Sequence, residues 1–365
     1  MAESVLITGG GGFIGSHLAD ELLGAGYSVR ALDSLVDQVH GDGERPGYLN
    51  DDVELITGDI RSADVVRGAL EGIDSIVHLA ARVGVGQSMY APVEYTSANS
   101  LGTAVLLDAL LERPVRKIVV ASSMSIYGEG AYEPAPAAER TRAQLERGEW
   151  EPRGPGGEEL HPVATPEDKQ PALSSIYALT KYDQERLCLL YGAAYGVPVV
   201  ALRFFNVYGP RQALSNPYTG ALAIFAARLL NDRPPVIYED GGQRRDFVNV
   251  ADVARACRLA LERDGADGRP VNIGSGSSAT VLEIADRLGR VLGKEIEPEL
   301  PGTFRAGDIR HCFADVTLAR EELGFEAEVA LEDGMASLAG WLEGQVATDR
   351  FDDAAAELAE RGLTR

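Results

Sequence analysis

The run Ser4-Val5-Leu6-Ile7-Thr8-Gly9-Gly10-Gly11-Gly12-Phe13-Ile14-Gly15 decides the architecture of this chain. Ser4–Thr8 is short, apolar and β-branched, which is how a parallel strand buried on both faces reads. The glycines fit both G-x-G-x-x-G (Gly10, Gly12, Gly15) and the wider T-G-x-x-G-x-x-G (Thr8, Gly9, Gly12, Gly15). A helical pattern follows through Leu18, Leu22 and Leu23 and ends at Gly24 and Gly26. Strand, glycine turn and helix in this order place backbone N–H groups and a positive helix end against a pyrophosphate.

A second strand, Ser28–Leu32, ends at Asp33, 18 residues past Gly15. An acid at that point accepts hydrogen bonds from an adenosine ribose and repels a 2′-phosphate, so the expected cofactor is NAD, not NADP. Working outward, Val53–Ile56, Ser75–Leu79, Lys117–Ala121, Pro198–Leu202 and Val271–Ile273 read as further strands. A long helix fills much of 91–113. This alternation predicts an α/β fold, a doubly wound parallel (Rossmann) sheet with a smaller C-terminal substrate-binding lobe. Ligand groups belong at the carboxyl ends of the strands, where Gly9–Gly15, Asp33, Asp59, Ala80 and Ser123 fall.

The 365 residues suit two units, residues 1–202 plus about 246–273 for NAD and 203–245 plus 274–345 for substrate, with a helical tail at 346–365. With 45% hydrophobic and 25% charged residues the composition is that of a globular protein. A net charge of −22 with no basic run argues against nucleic-acid and membrane partners. No apolar run is long enough for a bilayer helix, and Met1-Ala2-Glu3-Ser4 has no signal-peptide character, so a cytoplasmic location is expected. Cys188, Cys257 and Cys312 form no close pair, and no metal site is expected.

Strand Lys117–Ala121 runs into Ser122-Ser123-Met124-Ser125-Ile126-Tyr127-Gly128. Later, Tyr177 and Lys181 stand four residues apart on a helix, hence on one face. Only four lysines occur among 34 basic residues, so a chance Tyr-x-x-x-Lys is rare. An ammonium beside a phenol, with a positive nicotinamide near, lowers the phenol pKa from about 10 toward working pH and makes it a general base.

These motifs, with Asp59-Ile60, His78-Leu79-Ala80-Ala81 and Asn99, resemble the extended short-chain dehydrogenase/reductase family, in particular its nucleotide-sugar epimerase/dehydratase branch. Arg203–Pro210, Arg244–Asp252 and Arg305-x-Gly307-Asp308-x-Arg310 extend the likeness over residues 4–325. The resemblance implies Ser123, Tyr177 and Lys181 as the catalytic set. It implies an NAD site of Gly9, Gly12, Phe13, Ile14, Gly15, Asp33, Asp59, Ile60, Leu79, Ala80, Ala81, Asn99 and Ser122, completed by Tyr177 and Lys181. The nucleotide-diphosphate sugar (dTDP or UDP) would meet Ser123, Ser125, Asn206, Arg245 and Arg305.

Dehydratases of that branch carry Asp-Glu after the aligned Thr, and decarboxylases tend to carry Glu; here Met124 and Ser125 stand there. Oxidation and re-reduction at C4 is the chemistry left to one tyrosine, which is epimerisation. A UDP-hexose or UDP-glucuronate epimerase, a 4-ketoreductase and a dehydratase stay open as alternatives. Ser123 and Tyr177 are 54 residues apart, further than in compact relatives, because of an insertion at 129–171. That insertion, Ser123–Gly128 and Asn216–Gly220 resemble dTDP-L-rhamnose 4-epimerase-like enzymes, without the cysteine pairs some of those carry. The insertion reads either as a lid or as a surface excursion. By the same resemblance the chain is expected to be a homodimer, joined by the helices that begin near Ala91 and Tyr177.

Overall fold

The computed structural model describes residues 2–41, 43–212, 220–305, 308–343 and 351–364. Seven parallel strands form one sheet. They are β1 (Ser4–Thr8), β2 (Ser28–Asp33), β3 (Glu54–Thr57), β4 (Ser75–His78) and β5 (Lys117–Ser123), then Val199–Phe204 and Pro270–Ile273. Across the sheet the order is Pro270–Ile273, Val199–Phe204, β5, β4, β1, β2, β3. The chain reverses direction of travel between β1 and β4, so a crevice opens above their carboxyl ends. All seven strands lie within one or two residues of their positions in the sequence reading, and the parallel doubly wound sheet is the one expected.

Alternation along the strands divides the core into two layers. Val5, Ile7, Val77, Val119 and Leu202 face one side, packed by Leu18 and Leu22 of helix Phe13–Gly24 and by Val253 and Leu261 of helix Val250–Glu262. Leu6, Ile76, Ile118 and Val120 face the other, against Leu106 and Leu110 of helix Gly102–Glu112 and Leu189 of helix Ile176–Tyr195. Each such leucine, fully buried, stabilises the fold by roughly 1.5–3 kcal/mol. The expected long helix at 91–113 is a helical run with a π-wound stretch, Thr96–Leu101, between Pro92–Tyr95 and Gly102–Glu112. A third core joins helices Ala221–Leu230, Val281–Val291 and Leu331–Glu343. The tail carries helix Phe351–Glu360.

The insertion is structured. Ala131–Glu133 pairs with His161–Val163, and helix Arg142–Glu146 opens on a capping box of Thr141 and Gln144. Its C-terminal end and its middle are tied to different parts of the molecule. The Lys169 ammonium donates to Tyr127 O and Arg203 donates to Glu167 O, both at 2.8 Å. Nearer the lobe, buried Arg310 pairs with Glu151 (2.6 Å), Asp240 (2.7 Å) and Glu239 (2.9 Å), and Arg140 with Glu239 (2.8 Å). A buried arginine needs paired carboxylates, and these pairs bind the insertion to the segment around Glu239.

Candidate active site

A cavity of about 680 Å³ lies above the carboxyl ends of β1, β2, β4 and β5. At its floor Gly9 takes φ +72, and a Cβ on Gly15 would stand 2.3 Å from Gly9 O, so only glycine fits there. Helix Phe13–Gly24 then starts with no side-chain cap and no acid in its first turn. Its free N–H groups and positive dipole end therefore face the cavity, as a pyrophosphate requires. Asp33 at the end of β2 is held by two backbone donors, Gly11 N on Oδ2 and Leu35 N on Oδ1, each at 2.9 Å. Asp59 is clasped by Arg61, whose hydrogen bonds draw its carboxyl below the ordinary value. This cradle fits a dinucleotide with an unphosphorylated ribose.

At the other end, β5 delivers Ser122 and Ser123. Ser123 Oγ accepts from Ser125 N (3.2 Å) and from Ser125 Oγ (2.9 Å), capping the short turn Met124–Tyr127. Helix Ile176–Tyr195 starts at the N-cap Ser175, whose hydroxyl accepts from Ala178 N, and Tyr177 N donates to Ser88 Oγ at 3.0 Å. The Tyr177 ring stands edge-on to Tyr95, with centroids 6.4 Å apart. Burial raises the Tyr177 phenol, while the hydrogen bond with Ser123 pulls it back. Burial also lowers the Lys181 ammonium to about 8, opposed by Cys188 and Glu185. A positive nicotinamide ring in the cavity would lower the phenol further.

Gly9, Gly12, Phe13, Ile14, Gly15, Asp33, Asp59, Ile60, Leu79, Ala80, Ala81, Ser122, Ser123, Ser125, Tyr177, Lys181 and Asn206 all line this one cavity. Asn99 does not. It is buried, accepts from Arg82 N and donates to Arg82 O and Thr180 Oγ1, so it supports the wall from behind. Arg245 and Arg305 are also outside the lining. Arg245 donates to the carbonyls of Arg244, Ile309 and Arg310, and Arg305 lies over the Tyr238 ring at 4.4 Å. Asn216–Thr219 and Gly307 fall outside the described residues.

The lining also includes groups that the sequence reading passed over: His40, Arg82, Val83, Val85, Phe205 and Gln212. Arg82 directly follows His78-Leu79-Ala80-Ala81, which was signal enough to find it. Among the described residues, Asn206 Oδ1 and Gln212 Oε1 are buried acceptors with no hydrogen-bond partner. Such atoms are costly unless a ligand donor meets them. None of the lining residues comes from the insertion.

A glycine cradle, an uncapped helix end and Ser123, Tyr177 and Lys181 gathered on one Rossmann cavity define a dinucleotide-dependent enzyme. The chain belongs to the NAD dependent epimerase/dehydratase family, whose profile matches residues 5–274, and NAD is its cofactor. It is 35% identical over 350 residues to the dTDP-L-rhamnose 4-epimerase of Burkholderia thailandensis, covering 93% of this chain and 95% of that one. Among solved structures, the UDP-glucose 4-epimerase of Thermotoga maritima with UDP-glucose superposes with a TM-score of 0.78 at 30% identity, covering 93% of this chain and 98% of the other. The UDP-glucuronic acid 4-epimerase of Bacillus cereus, in complex with UDP-glucuronic acid and NAD, gives 0.77 at 29% identity, over 93% and 99%.

Proposed function

We propose that this chain is an NAD-dependent nucleotide-sugar 4-epimerase acting on a dTDP-6-deoxyhexose such as dTDP-L-rhamnose. One observation carries the reaction type: among the described residues, the carboxylates lining the cavity are Asp33, Asp59 and Glu94, and each already has a partner. Asp33 holds two backbone amides, Asp59 holds Arg61, and Glu94 faces Arg82 at 3.6 Å. With Met124 and Ser125 beside Ser123, no acid–base pair for elimination or decarboxylation stands next to Tyr177 among the described residues. The 6-deoxyhexose reading is supported by the apolar Met124 and Phe205 in the lining and by the likeness to the Burkholderia enzyme.

Bound NAD supplies reversible acceptance of hydride from C4. The Ser123 hydroxyl orients the 4-hydroxyl, and the Tyr177 phenolate oxygen takes its proton. Lys181, on the same helix and lining the same cavity, would bring positive charge toward that oxygen and donors for the nicotinamide ribose. Once the 4-keto sugar has turned its other face, Tyr177 returns the proton, and the net change is inversion at C4 with no cofactor consumed. Asn206 and Gln212 offer acceptors on the sugar-nucleotide side.

The test is incubation of the purified protein, with no added cofactor, with a panel of dTDP- and UDP-sugars read by proton NMR. Inversion at C4 is expected, first among dTDP-6-deoxyhexoses. A 4-keto or pentose product, or turnover only with supplied NADH, would overturn the epimerase reading. Inversion of UDP-hexoses or UDP-glucuronate alone would move the substrate. A homodimer belongs to the same proposal: Val93, Leu101, Leu179 and Leu190 are large exposed apolar groups on the helical run 92–112 and helix Ile176–Tyr195. A monomer mass by light scattering at micromolar concentration would refute it.

A further inference from the structure

Lys181 is fully buried, and its ammonium has three N–H donors to place. Among the described residues it makes one hydrogen bond, to Gln184 Oε1 at 2.7 Å. Gln184 is one helical turn further on and is itself 0% exposed. Its Nε2 donates to Ala80 O (3.2 Å) and Thr103 Oγ1 (3.0 Å) and lies 3.2 Å from His78 Nε2. The Thr103 hydroxyl spends its own proton on Asn99 O at 2.6 Å, so toward Gln184 it can only accept. A flipped amide would set NH2 against the ammonium, which only donates, and oxygen against Ala80 O, which only accepts, so these two neighbours favour the orientation seen. His78 closes the cluster, 2.9 Å from Thr103 Oγ1 and 2.6 Å from Thr8 Oγ1.

We propose that Gln184 is a positioning residue for Lys181: anchored by Ala80 and Thr103, its amide oxygen takes one ammonium proton and aims the other two at the cavity. Ala80 is also part of the cavity wall, so the same amide ties the lysine to the strand end that borders the dinucleotide. The titratable groups facing Lys181 are Glu185 and Cys188 on its own helix and His78 on β4. His78 is neutral at working pH, since burial holds it at about 3. Gln184, itself 0% exposed, is thus an uncharged acceptor for the buried lysine. The inference rests on the Tyr177–Lys181 reading above, but its test does not need turnover.

The perturbation is Gln184→Met, which keeps length and volume and removes the acceptor. The Tyr177 phenolate is titrated by near-ultraviolet difference absorbance of each protein against its own Tyr177→Phe form, and NAD affinity is measured by calorimetry. Gln184→Met is expected to raise the Tyr177 midpoint by about one pH unit and to weaken NAD binding about tenfold, because a buried charge loses its hydrogen bond. If the protein turns over, kcat falls with KM for the sugar little changed, and the acid limb moves up by the same amount. Gln184→Glu restores an acceptor and is expected to bring the midpoint back toward the parent.

An unmoved midpoint and unchanged NAD affinity in Gln184→Met would overturn the proposal. So would equal impairment of the Met and Glu variants in step with lost melting temperature, which would mark a packing role. Should Gln184→Met fail to fold, Thr103→Val removes one anchor of the amide; a smaller shift in the same direction is expected, and no shift would overturn the proposal. A parent protein with no epimerase activity would sink the functional reading alone, since titration and calorimetry still decide Gln184.

Discussion

Gly15→Ala sets two physical effects against each other and the geometry decides between them. Gly15 lies in the first turn of helix Phe13–Gly24, where alanine is normally the better residue by roughly 0.5–1 kcal/mol. Against that, the added Cβ would lie 2.3 Å from Gly9 O, 2.7 Å from Gly10 Cα and 3.0 Å from Gly10 C. All three are backbone atoms, so no side chain can rotate away, and ordinary carbon–oxygen contact asks for about 1 Å more. The turn must open. Overpacking of this kind costs about 1–3 kcal/mol, which exceeds the propensity gain, and the displaced groups are the ones that would hold the pyrophosphate. The expected result is an NAD affinity lowered about 10–100-fold by calorimetry, together with a lower melting temperature of the apo protein. Unchanged affinity with a raised melting temperature would refute the argument, because it would mean that helix propensity wins and that the cradle does not touch the dinucleotide.

Ser123→Ala removes both the cap of the Met124–Tyr127 turn and the hydrogen bond that lowers Tyr177; turnover should fall about 100-fold with the acid limb moved to higher pH, seen in the pH–rate profile. Tyr177→Phe should keep NAD bound while turnover falls by orders of magnitude, checked by released nucleotide and steady-state rates. Arg310→Met leaves Glu239, which is 2% exposed, without one of its cations; urea unfolding should show a loss of about 3–5 kcal/mol. His78 is held neutral at about 3 by burial, below its unfolded value of about 6.5, so the native state binds fewer protons between those values. Stability should therefore fall as pH drops from about 6.5 toward 3, by at most about 1.4 kcal/mol per unit from this group, and His78→Asn should flatten that stretch of the curve.

What could be read from the sequence was what depends on local periodicity and on backbone need. The glycines of 9–15 have one use between a strand and a helix, and the alternation of Val5, Leu6 and Ile7 marks a strand buried on both faces, so sheet and cofactor were legible together. Tyr177 and Lys181 were legible because four residues of helix bring them to one face. Gln184 obeys the same arithmetic, one turn beyond Lys181, yet its meaning depends on Ala80 and Thr103, which are about 80–100 residues away. The insertion was ambiguous for the same reason. Its Pro, Gly and charge content reads as surface, and only tertiary pairing shows that its Arg140 and Glu151 clamp it to Glu239 and to buried Arg310. The placing of Arg245 against backbone carbonyls, away from the cavity lining, likewise depends on Ile309 and Arg310, about 65 residues away, as well as on its neighbour Arg244.

The central claim is that one carbon is oxidised and re-reduced by the same enzyme-held cofactor, and the most direct test is a dTDP-6-deoxyhexose deuterated at C4, incubated in ordinary water without added NAD. The account predicts C4-inverted product that retains the deuterium, with no net NADH. Product that has lost the label to solvent, or that stops at a 4-keto sugar, would contradict it.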